Sequence, residues 1–387
     1  MEASELLNII SRGESSKVQF KERMPHIESM AHEMVAFSNS DGGMIIFGVN
    51  DKTGDLNGLN FSEIASINSQ LANIASNNIL PPIFFETETV SVNGNNLVVV
   101  TVPVGVEKPY KDRSGSIYVK VGSDKRKVTS NEVLARLLQH GRFLFADEMP
   151  VHGSNISDID MDKFKTFIKK HYDKNLSEFD IPLLRILEKL KLAKDGVLTL
   201  AGLLLFAENR HDLCPMFTVH CVTVDDVVLT GDTYLDTEPP IEGTLDVVFN
   251  ETMGFIKRNM RKIPEGEGFN SSCIWEIPKR VFEEFIINAL IHRDYFISST
   301  IKVFIFRDRV EILSPGKLPN ALTIDNVING ISLPRNPALH SIAKNVLPYI
   351  GLGTGISRAL SLYPDIEIEN KTDTEQFKVT IKRNVSS

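Results

Sequence analysis

The chain has 387 residues, of which 42% are apolar and 24% charged, and its net charge at pH 7 is −8. This composition is typical of a soluble globular protein and predicts two or three domains. The negative net charge argues against a chain that binds polyanions over its whole surface, but it allows a local basic strip. The longest apolar stretches, such as residues 198–207, are too short to span a bilayer.

The N-terminus lacks the basic and then apolar layout of a signal peptide. The three cysteines, Cys214, Cys221 and Cys273, show neither paired nor metal-ligand spacing. This cysteine usage favours a reducing compartment. We therefore expect a cytoplasmic protein without a membrane segment.

The first segment, about residues 1–130, mixes predicted helices and strands. Residues 24–40 place apolar side chains at helical spacing, and a Ser-Asp-Gly-Gly turn follows them. The runs "MIIFGV" (44–49) and "LVVVTVPV" (97–104) are wholly or largely apolar, which is typical of buried strands. Residues 115–123 alternate between apolar and polar side chains and predict a strand with one exposed face.

The second segment, about residues 131–265, opens with an acid-rich helix start. An amphipathic helix, a Lys-Asp-Gly turn and a second helix follow, with Thr199 as the predicted N-cap. This pattern suits a small winged-helix-like unit, and a helical connector that packs its leucines between domains fits it about as well. Residues 217–224 predict a strand, and residues 243–260 predict a long helix.

The third segment, about residues 266–387, starts with a predicted helix in "IPKRVFEEFIINALIHRDYF". Residues 299–316 predict a strand pair joined by an Arg-Asp turn. The segment "GLGTGISRAL" (351–360) predicts a glycine-rich turn that enters a helix. The whole chain is therefore expected to be of the mixed α/β (α+β) class.

Three familiar nucleotide-related motifs are excluded by the sequence, two of them by a single position. "HRDY" (292–295) is not a kinase catalytic loop, because the required Asn is replaced by Ser299. "GLGTGI" is not a dinucleotide fingerprint, because its third glycine is replaced by Ile356. No P-loop sequence occurs in the chain.

Two elements of the third segment still indicate a nucleotide site. Glu284 and Asn288 are spaced i, i+4, so on a helix they lie on one side. An amide oxygen can ligate Mg²⁺ while a carboxylate positions the attacking water. The backbone N–H groups of "GLGTG" (351–355), just before a helix, could cradle an anion.

Four blocks of this segment, within residues 275–360, resemble the GHKL-type ATP-binding domain known as the RecG-like C-terminal domain. The blocks are "FEEFIINALIHRDY", "DRVEILSPGKLP", "PRNPAL" and "GLGTGISR". The resemblance implies a GHKL-like α/β sandwich, with ATP and Mg²⁺ bound at Asn288 and Glu284 as general base. The Asp with which the wider family reads adenine is missing from "LSPGKL", so adenine selectivity and turnover stay open. The implied cofactor-binding residues are Asn288, His292, Gly316, Gly351, Gly353, Thr354 and Gly355.

The first segment, over about residues 13–123, resembles the Schlafen-AlbA domain. The matching blocks are "ESSKVQFKE", "AFSNSDGGMIIFGVNDKTGDLNGL" and "KPYKDRSGSIYVKVGS". The resemblance implies a nucleic-acid-binding domain, and it places the chain among proteins described as transcriptional regulators or ATP-binding proteins.

Schlafen nucleases use two glutamates five residues apart and a downstream aspartate. The corresponding catalytic positions here are Glu14, Gln19 and Asp51, beside Lys21, and Glu14 and Asp51 are the implied metal ligands for Mg²⁺ or Mn²⁺. Gln19 cannot carry a negative charge, so we expect a site that binds more than it cuts. Alternatively, Glu14 and Lys21 form only an exposed ion pair at a strand edge.

A basic strip lies at the end of the first segment. Residues 107–127 contain seven basic and three acidic side chains, a local charge of +4. Such a strip would make salt-dependent phosphate contacts, and interleaved tyrosines could stack on bases. A solvated face without a partner is the alternative. The candidate nucleic-acid contacts are Lys108, Tyr110, Lys111, Arg113, Tyr118, Lys120, Lys125, Arg126 and Lys127.

These features predict an ATP-responsive regulator that binds RNA or DNA, with a possible weak ATPase activity and a homo-oligomeric state. One alternative is a Schlafen-like, metal-dependent endoribonuclease in defence or stress response, weakened by Gln19. Another is an assembly protein in which both pockets are degenerate.

Overall fold

The computed structural model describes residues 1–208, 210–229, 234–264, 273–319, 322–348, 351 and 353–383. The chain divides into two compact units, an N-terminal unit (Met1–Leu144) and a C-terminal unit (Phe145–Ser387). Both units combine helices with open sheets, which confirms the mixed α/β class. No helix in the described part of the chain is long and apolar enough to cross a membrane.

The N-terminal unit is built from short elements. Its helices are α1 (Ala3–Ser11), α2 (Ile27–Asn39), α3 (Phe61–Asn77) and α4 (Asn131–His140). Its strands are β1 (Val18–Lys21), β2 (Gly43–Phe47), β3 (Ile79–Leu80), β4 (Glu86–Val92), β5 (Asn95–Val102), β6 (Lys111–Asp112), β7 (Tyr118–Val121) and β8 (Asp124–Lys127).

A four-stranded sheet of order β1-β2-β5-β4 forms the centre of this unit. Strand β1 runs parallel to β2, and the other neighbours are antiparallel. Helices α2 and α3 cover one face of the sheet, and α1 covers the other. Because side chains alternate along a strand, Gln19 faces the α2 side with Ile45, and Phe20 faces the α1 side.

The β7–β8 hairpin is attached to the end of α2 by buried polar groups. The Asn39 side chain donates hydrogen bonds of 2.9 Å to the carbonyl oxygens of Tyr110 and Tyr118. The Ser40 hydroxyl accepts a bond of 2.8 Å from the backbone N–H of Lys120. These bonds fix the hairpin over α2 and place Lys120 beside β1.

The C-terminal unit has more elements. Its helices are α5 (Met161–Tyr172), α6 (Leu183–Lys189), α7 (Leu200–Phe206), α8 (Arg210–Leu213), α9 (Leu245–Asn259), α10 (Lys279–His292), α11 (Ile324–Ile328), α12 (Pro337–Val346) and α13 (Gly355–Leu362). Its strands are β9 (Ala193–Lys194), β10 (Val197–Leu198), β11 (Val219–Val224), β12 (Tyr234–Thr237), β13 (Lys262–Pro264), β14 (Cys273–Trp275), β15 (Ile301–Ile305), β16 (Arg309–Pro315), β17 (Ile366–Lys371) and β18 (Gln376–Lys382).

A six-stranded sheet of order β12-β11-β15-β16-β18-β17 organises the C-terminal unit. Only the β11–β15 pair is parallel among these described strands. The sheet joins strands from the predicted second and third segments, and apolar side chains of both segments share one core. The boundary predicted near residue 265 falls at residues 265–272, outside the described residues, so the three-domain division stays a prediction.

The predicted N-cap at Thr199 is confirmed in the middle of the chain. The Thr199 hydroxyl accepts a hydrogen bond of 3.2 Å from the backbone N–H of Gly202, at the start of α7. The two-residue strands β9 and β10 form a small hairpin between α6 and α7. This helix–hairpin–helix arrangement accounts for the pattern that suggested a winged-helix-like unit.

A buried carboxylate lies at the start of the C-terminal unit. Asp147 is fully buried, and its Oδ2 accepts a hydrogen bond of 2.9 Å from the backbone N–H of Leu339, in the first turn of α12. Its Oδ1 has no hydrogen-bond partner among the described residues. Burial raises the pKa of Asp147 to about 7, although the N–H groups of Ala338 and Leu339 lower it.

The raised pKa of Asp147 predicts a pH-dependent stability. Because its pKa in the folded state lies above the ordinary value of 3.8, the folded protein loses stability as pH rises from about 4 to about 7. Asp147→Asn keeps an oxygen for Leu339 and carries no charge, so it should remove this loss, which is at most about 4 kcal/mol. Denaturant unfolding between pH 5 and pH 8 measures the difference.

The matched control is Asp162→Asn, at a side chain that is 95% exposed at the start of α5. This control should retain the pH slope of the wild type. Equal pH slopes for the wild type and Asp147→Asn would contradict the interpretation.

Candidate functional site

One cleft in the C-terminal unit gathers residues that are far apart in the sequence. It contains about 1070 Å³ of empty space, a volume that includes open solvent at its mouth. Thr354, also predicted at this site, immediately precedes α13. The other predicted nucleotide-contacting residues line the cleft, namely Glu284, Asn288, His292, Gly316, Gly351, Gly353 and Gly355.

Helix α10 carries the carboxylate and the amide of the cleft. Glu284 and Asn288 lie one turn apart, and the Asn288 side-chain N–H donates a hydrogen bond of 2.7 Å to Glu284 Oε1. This bond orients the amide and leaves its oxygen for a hard cation. The donor set therefore fits a Mg²⁺ ion that accompanies a nucleotide.

Gly353 and Gly355 approach their neighbours closely because glycine has no side chain. Gly351 and Gly353 have φ values of +73°, where L side chains are strained. A Cβ on Gly353 would lie 2.4 Å from the carbonyl oxygen of Gly330, in the turn after α11. A Cβ on Gly355 would overlap the Glu284 carboxylate, so the glycine lets the N-terminus of α13 reach that side chain.

His292 and the residue after it end helix α10 and have different environments. Burial and the charges of His340 and Arg335 lower the pKa of His292 to about 4, so its imidazole is neutral at pH 7. The Arg293 guanidinium is buried and lies 4.8 and 5.0 Å from the ring centres of Phe217 and Tyr295. Arg293 therefore has a packing role in the interior, where its guanidinium also donates hydrogen bonds to the carbonyl oxygens of Ile297 and Ser299.

The "RNP" block (335–337) holds the floor of the cleft, a role that the sequence alone did not assign. Arg335 lines the cleft and donates a hydrogen bond of 2.6 Å to the Lys317 carbonyl oxygen. Gly316 has a φ of +104°, and a Cβ there would lie 2.4 Å from the Arg335 guanidinium. The sequence signal was the block itself, an arginine and an asparagine before a helix-starting proline.

An apolar wall completes the cleft and was also missed from the sequence. Its residues come from the loop after β16, from α11 and from the loop that follows α11. Scattered aliphatic residues in such loops carry no periodic signal, because they do not share one helix or strand face. The wall residues are Leu318, Leu322, Val327, Ile331 and Leu333.

In the N-terminal unit, the structure links Glu14 and Gln19 directly. Glu14 Oε1 accepts hydrogen bonds from the Gln19 side-chain N–H and, at 2.8 Å, from the backbone N–H of Phe20. The Gln19 side-chain oxygen accepts a bond of 2.9 Å from Lys120 Nζ. Both ends of the Gln19 amide are therefore occupied by protein groups.

Asp51 and Lys21 are not drawn into this network. Asp51 lies in an exposed turn that is held by the Asn50 side chain, and no hydrogen bond or ion pair joins it to Glu14 or Gln19. Glu14 and Lys21 form no ion pair either, so the strand-edge alternative is wrong in that detail. Among the described residues, no group of three or more His, Cys, Asp or Glu side chains is arranged to hold a metal ion.

Three residues predicted to contact nucleic acid are buried, which corrects the extent of the basic strip. Lys108 Nζ donates a hydrogen bond of 2.7 Å to the Ser40 carbonyl oxygen, and Tyr110 packs in the core. The Lys120 side chain is 1% exposed. Burial of the two lysines is possible because their ammonium groups find acceptors inside the unit.

The remaining strip is smaller but still basic. Lys125 is half-buried, and its Nζ lies 3.1 Å from Glu33 Oε2. Tyr118 stacks on His32 with ring centres 4.1 Å apart, so one of its faces is already covered. The fully exposed basic residues of the strip are Lys111, Arg113, Arg126 and Lys127.

Two protein-family models match separate parts of the chain. The family described as "Schlafen, AlbA_2" matches residues 14–129. The family described as "Putative ATP-dependent DNA helicase recG C-terminal" matches residues 298–381. Residues 14–129 therefore resemble a Schlafen AlbA_2 domain, and residues 298–381 resemble a RecG-type C-terminal domain. These two matches indicate an ATP-binding, nucleic-acid-related protein. The RecG-type match begins after α10, so it does not include Glu284 or Asn288.

Two solved structures are similar to the chain. The DIP2311 protein from Corynebacterium diphtheriae has 21% identity and a TM-score of 0.49, over 98% of this chain and 80% of that one. The N-terminal domain of a RecG-related protein from Nitrosomonas europaea has 24% identity and a TM-score of 0.26, over 34% of this chain and 96% of that one. A search of curated proteins finds no match.

The contact between Gly353 and Gly330 predicts a stability effect. Gly353→Ala adds a Cβ against a backbone oxygen and at positive φ, so it should destabilise the C-terminal unit by about 1–3 kcal/mol. The control is Gly254→Ala, in the exposed part of α9, where a Cβ meets no atom within 4 Å. The control should be stabilised by about 0.5–1 kcal/mol. Denaturant unfolding measures both changes, and equal shifts would contradict the assignment.

Proposed function

We propose that this protein is a regulator that binds ATP with Mg²⁺ in its C-terminal unit and RNA or DNA at its N-terminal unit. The observation that carries the proposal is the cleft, where one face of α10 and the glycine segment line the same space. In this proposal, the nucleotide state adjusts the engagement of nucleic acid. A homo-oligomeric state belongs to the same proposal.

The parts of the cleft match the parts of a Mg-nucleotide. The Asn288 amide oxygen would ligate Mg²⁺, and the backbone N–H groups at the start of α13 would face the phosphates. The apolar wall around Leu318 and Ile331 would hold the base. In the proposal, Glu284 would orient a water molecule for slow hydrolysis of the nucleotide.

The exposed basic residues of the N-terminal unit support nucleic-acid binding. Lys111, Arg113, Arg126 and Lys127 are exposed near and on the β7–β8 hairpin. Cationic side chains at such positions release counterions from a phosphate backbone and give salt-dependent affinity. In the proposal they would contact phosphates and not base edges, which gives binding with little sequence preference.

The ATP site is tested by Asn288→Ala. For the wild type, saturating Mg-ATP should raise the free energy of unfolding by about 2–3 kcal/mol at a hundredfold excess over the dissociation constant. Asn288→Ala removes the proposed Mg²⁺ ligand and should abolish most of this gain. Thermal unfolding with and without Mg-ATP measures it.

The matched control for this experiment is Asn73→Ala, the same chemical change on the exposed surface of α3. It should retain the full ATP-dependent gain. An unchanged gain in Asn288→Ala would rule out this site. No gain in the wild type would favour the assembly-protein alternative.

The nucleic-acid surface is tested by the double substitution Arg126→Ala and Lys127→Ala. It should weaken binding of single-stranded RNA and lower the slope of log affinity against log salt by about one to two. Gel-shift or fluorescence-anisotropy titrations at several salt concentrations measure this slope. The control is Lys165→Ala with Lys169→Ala, which removes the same charge from exposed positions on α5. Equal slopes for the two double variants would contradict the proposed surface.

A further inference from the structure

We propose that the Lys120 ammonium is the resident cation of the Glu14–Gln19 site, and that the N-terminal unit binds nucleic acid without a divalent metal ion at this site. The proposal deepens the N-terminal half of the proposed function and rests on it. It also separates this chain from the metal-dependent chemistry that its Schlafen-type sequence pattern implies.

The Lys120 ammonium sits where oxygens from three elements converge. Its Nζ donates to Gln19 Oε1 on β1 at 2.9 Å, to Glu33 Oε1 on α2 at 2.8 Å, and to the Ser123 carbonyl oxygen in the β7–β8 turn at 2.5 Å. Three bonds use all the donors of an ammonium group. Amide, carboxylate and carbonyl oxygens are also the ligands that hard divalent cations take. The ammonium therefore fills a site of cation-binding chemistry.

The charges around Lys120 are balanced inside the protein. The Glu33 side chain is 4% exposed and pairs with both Lys120 and Lys125. Glu14 Oε1 accepts hydrogen bonds from the Gln19 amide and from the backbone N–H of Phe20. A divalent ion at this position would have to displace a buried ammonium and leave it without its acceptors, which costs several kcal/mol.

The amide of Gln19 is the side chain that this arrangement requires. Its N–H donates a hydrogen bond to Glu14, and its oxygen accepts one from Lys120 Nζ. A carboxylate could accept from Lys120, but it has no N–H for Glu14. With Gln19→Glu, two carboxylate oxygens would lie in contact, and a proton or a metal ion would be needed to relieve the repulsion. Gln19 and Lys120 therefore form a matched pair.

The Gln19 side-chain oxygen and Glu33 Oε1 both already accept hydrogen bonds from Lys120 Nζ. Lys120 Nζ also lies 4.8 Å from the centre of the Phe37 ring, which adds a further attraction for the cation. The site is thus held closed by the protein itself. Its contribution to nucleic-acid binding is to fix the β7–β8 hairpin, with Arg126 and Lys127 exposed on it.

The experiment measures Mn²⁺ binding by electron paramagnetic resonance on the full chain, without nucleotide. All proteins carry Asn288→Ala, so that the cleft of the C-terminal unit does not contribute. The reference protein should bind no Mn²⁺ in the millimolar range. Adding Lys120→Met with Gln19→Glu opens the oxygens and should raise Mn²⁺ affinity at least about tenfold.

The matched control adds Lys120→Arg with Gln19→Glu, which retains a cation and should show a much smaller gain. In parallel, single-stranded RNA is titrated against the wild-type chain with Mg²⁺ and with a chelator. The affinity should agree within about twofold, because phosphate contacts come from basic side chains.

Mn²⁺ binding to the reference protein that is lost on Glu14→Gln would overturn the proposal, as would RNA binding that disappears in the chelator. A folded Lys120→Met and Gln19→Glu variant without any Mn²⁺ gain would also overturn it. If that variant is unfolded by circular dichroism, the reference protein decides alone. If the chain binds no nucleic acid, the proposed function fails. The Mn²⁺ measurement still decides whether the Lys120 ammonium or a divalent metal ion occupies the site.

Discussion

Each unit depends on one buried asparagine whose amide replaces missing backbone partners. In the N-terminal unit, Asn39 donates to Tyr110 and Tyr118 and accepts from the backbone N–H of Tyr110. In the C-terminal unit, Asn336 donates to the carbonyl oxygens of Ile291 and Arg293, at the end of α10. Buried backbone groups without partners are costly, so these two side chains determine how the flanking segments pack.

The cleft and the Glu14–Gln19 site differ in how far their polar groups are hydrogen-bonded within the protein. Among the described residues of the cleft, Asn288 bonds through its side-chain N–H to Glu284, and Gly351, Gly353 and Gly355 line the open space. At the N-terminal site, Gln19 is bonded at both ends and Lys120 is fully used. A polar group with capacity left over attracts a ligand, whereas a saturated one stabilises the fold.

Local charge explains how an acidic chain can carry a nucleic-acid surface. The net charge is −8, but the hairpin exposes Arg126 and Lys127 while its other lysines neutralise Glu33 inside the unit. Electrostatic attraction to a polyanion depends on the exposed field near the contact and not on the sum over the chain. Burial of part of the strip therefore reduces the number of exposed basic residues, but the exposed strip remains positively charged.

The sequence by itself determined most elements and predicted part of the lining of the cleft. Helix α10, the strands β15 and β16, and the glycine turn before α13 follow from periodicity and turn chemistry, which are local properties. Because ordered blocks of the sequence meet at one cleft, Glu284 and Gly355 could be named together. Only the tertiary structure decided which lysines are buried, because burial depends on contacts between residues as far apart as Gln19 and Lys120. The same long-range packing made Gln19 a bridge between two charges, which no spacing along the chain encodes.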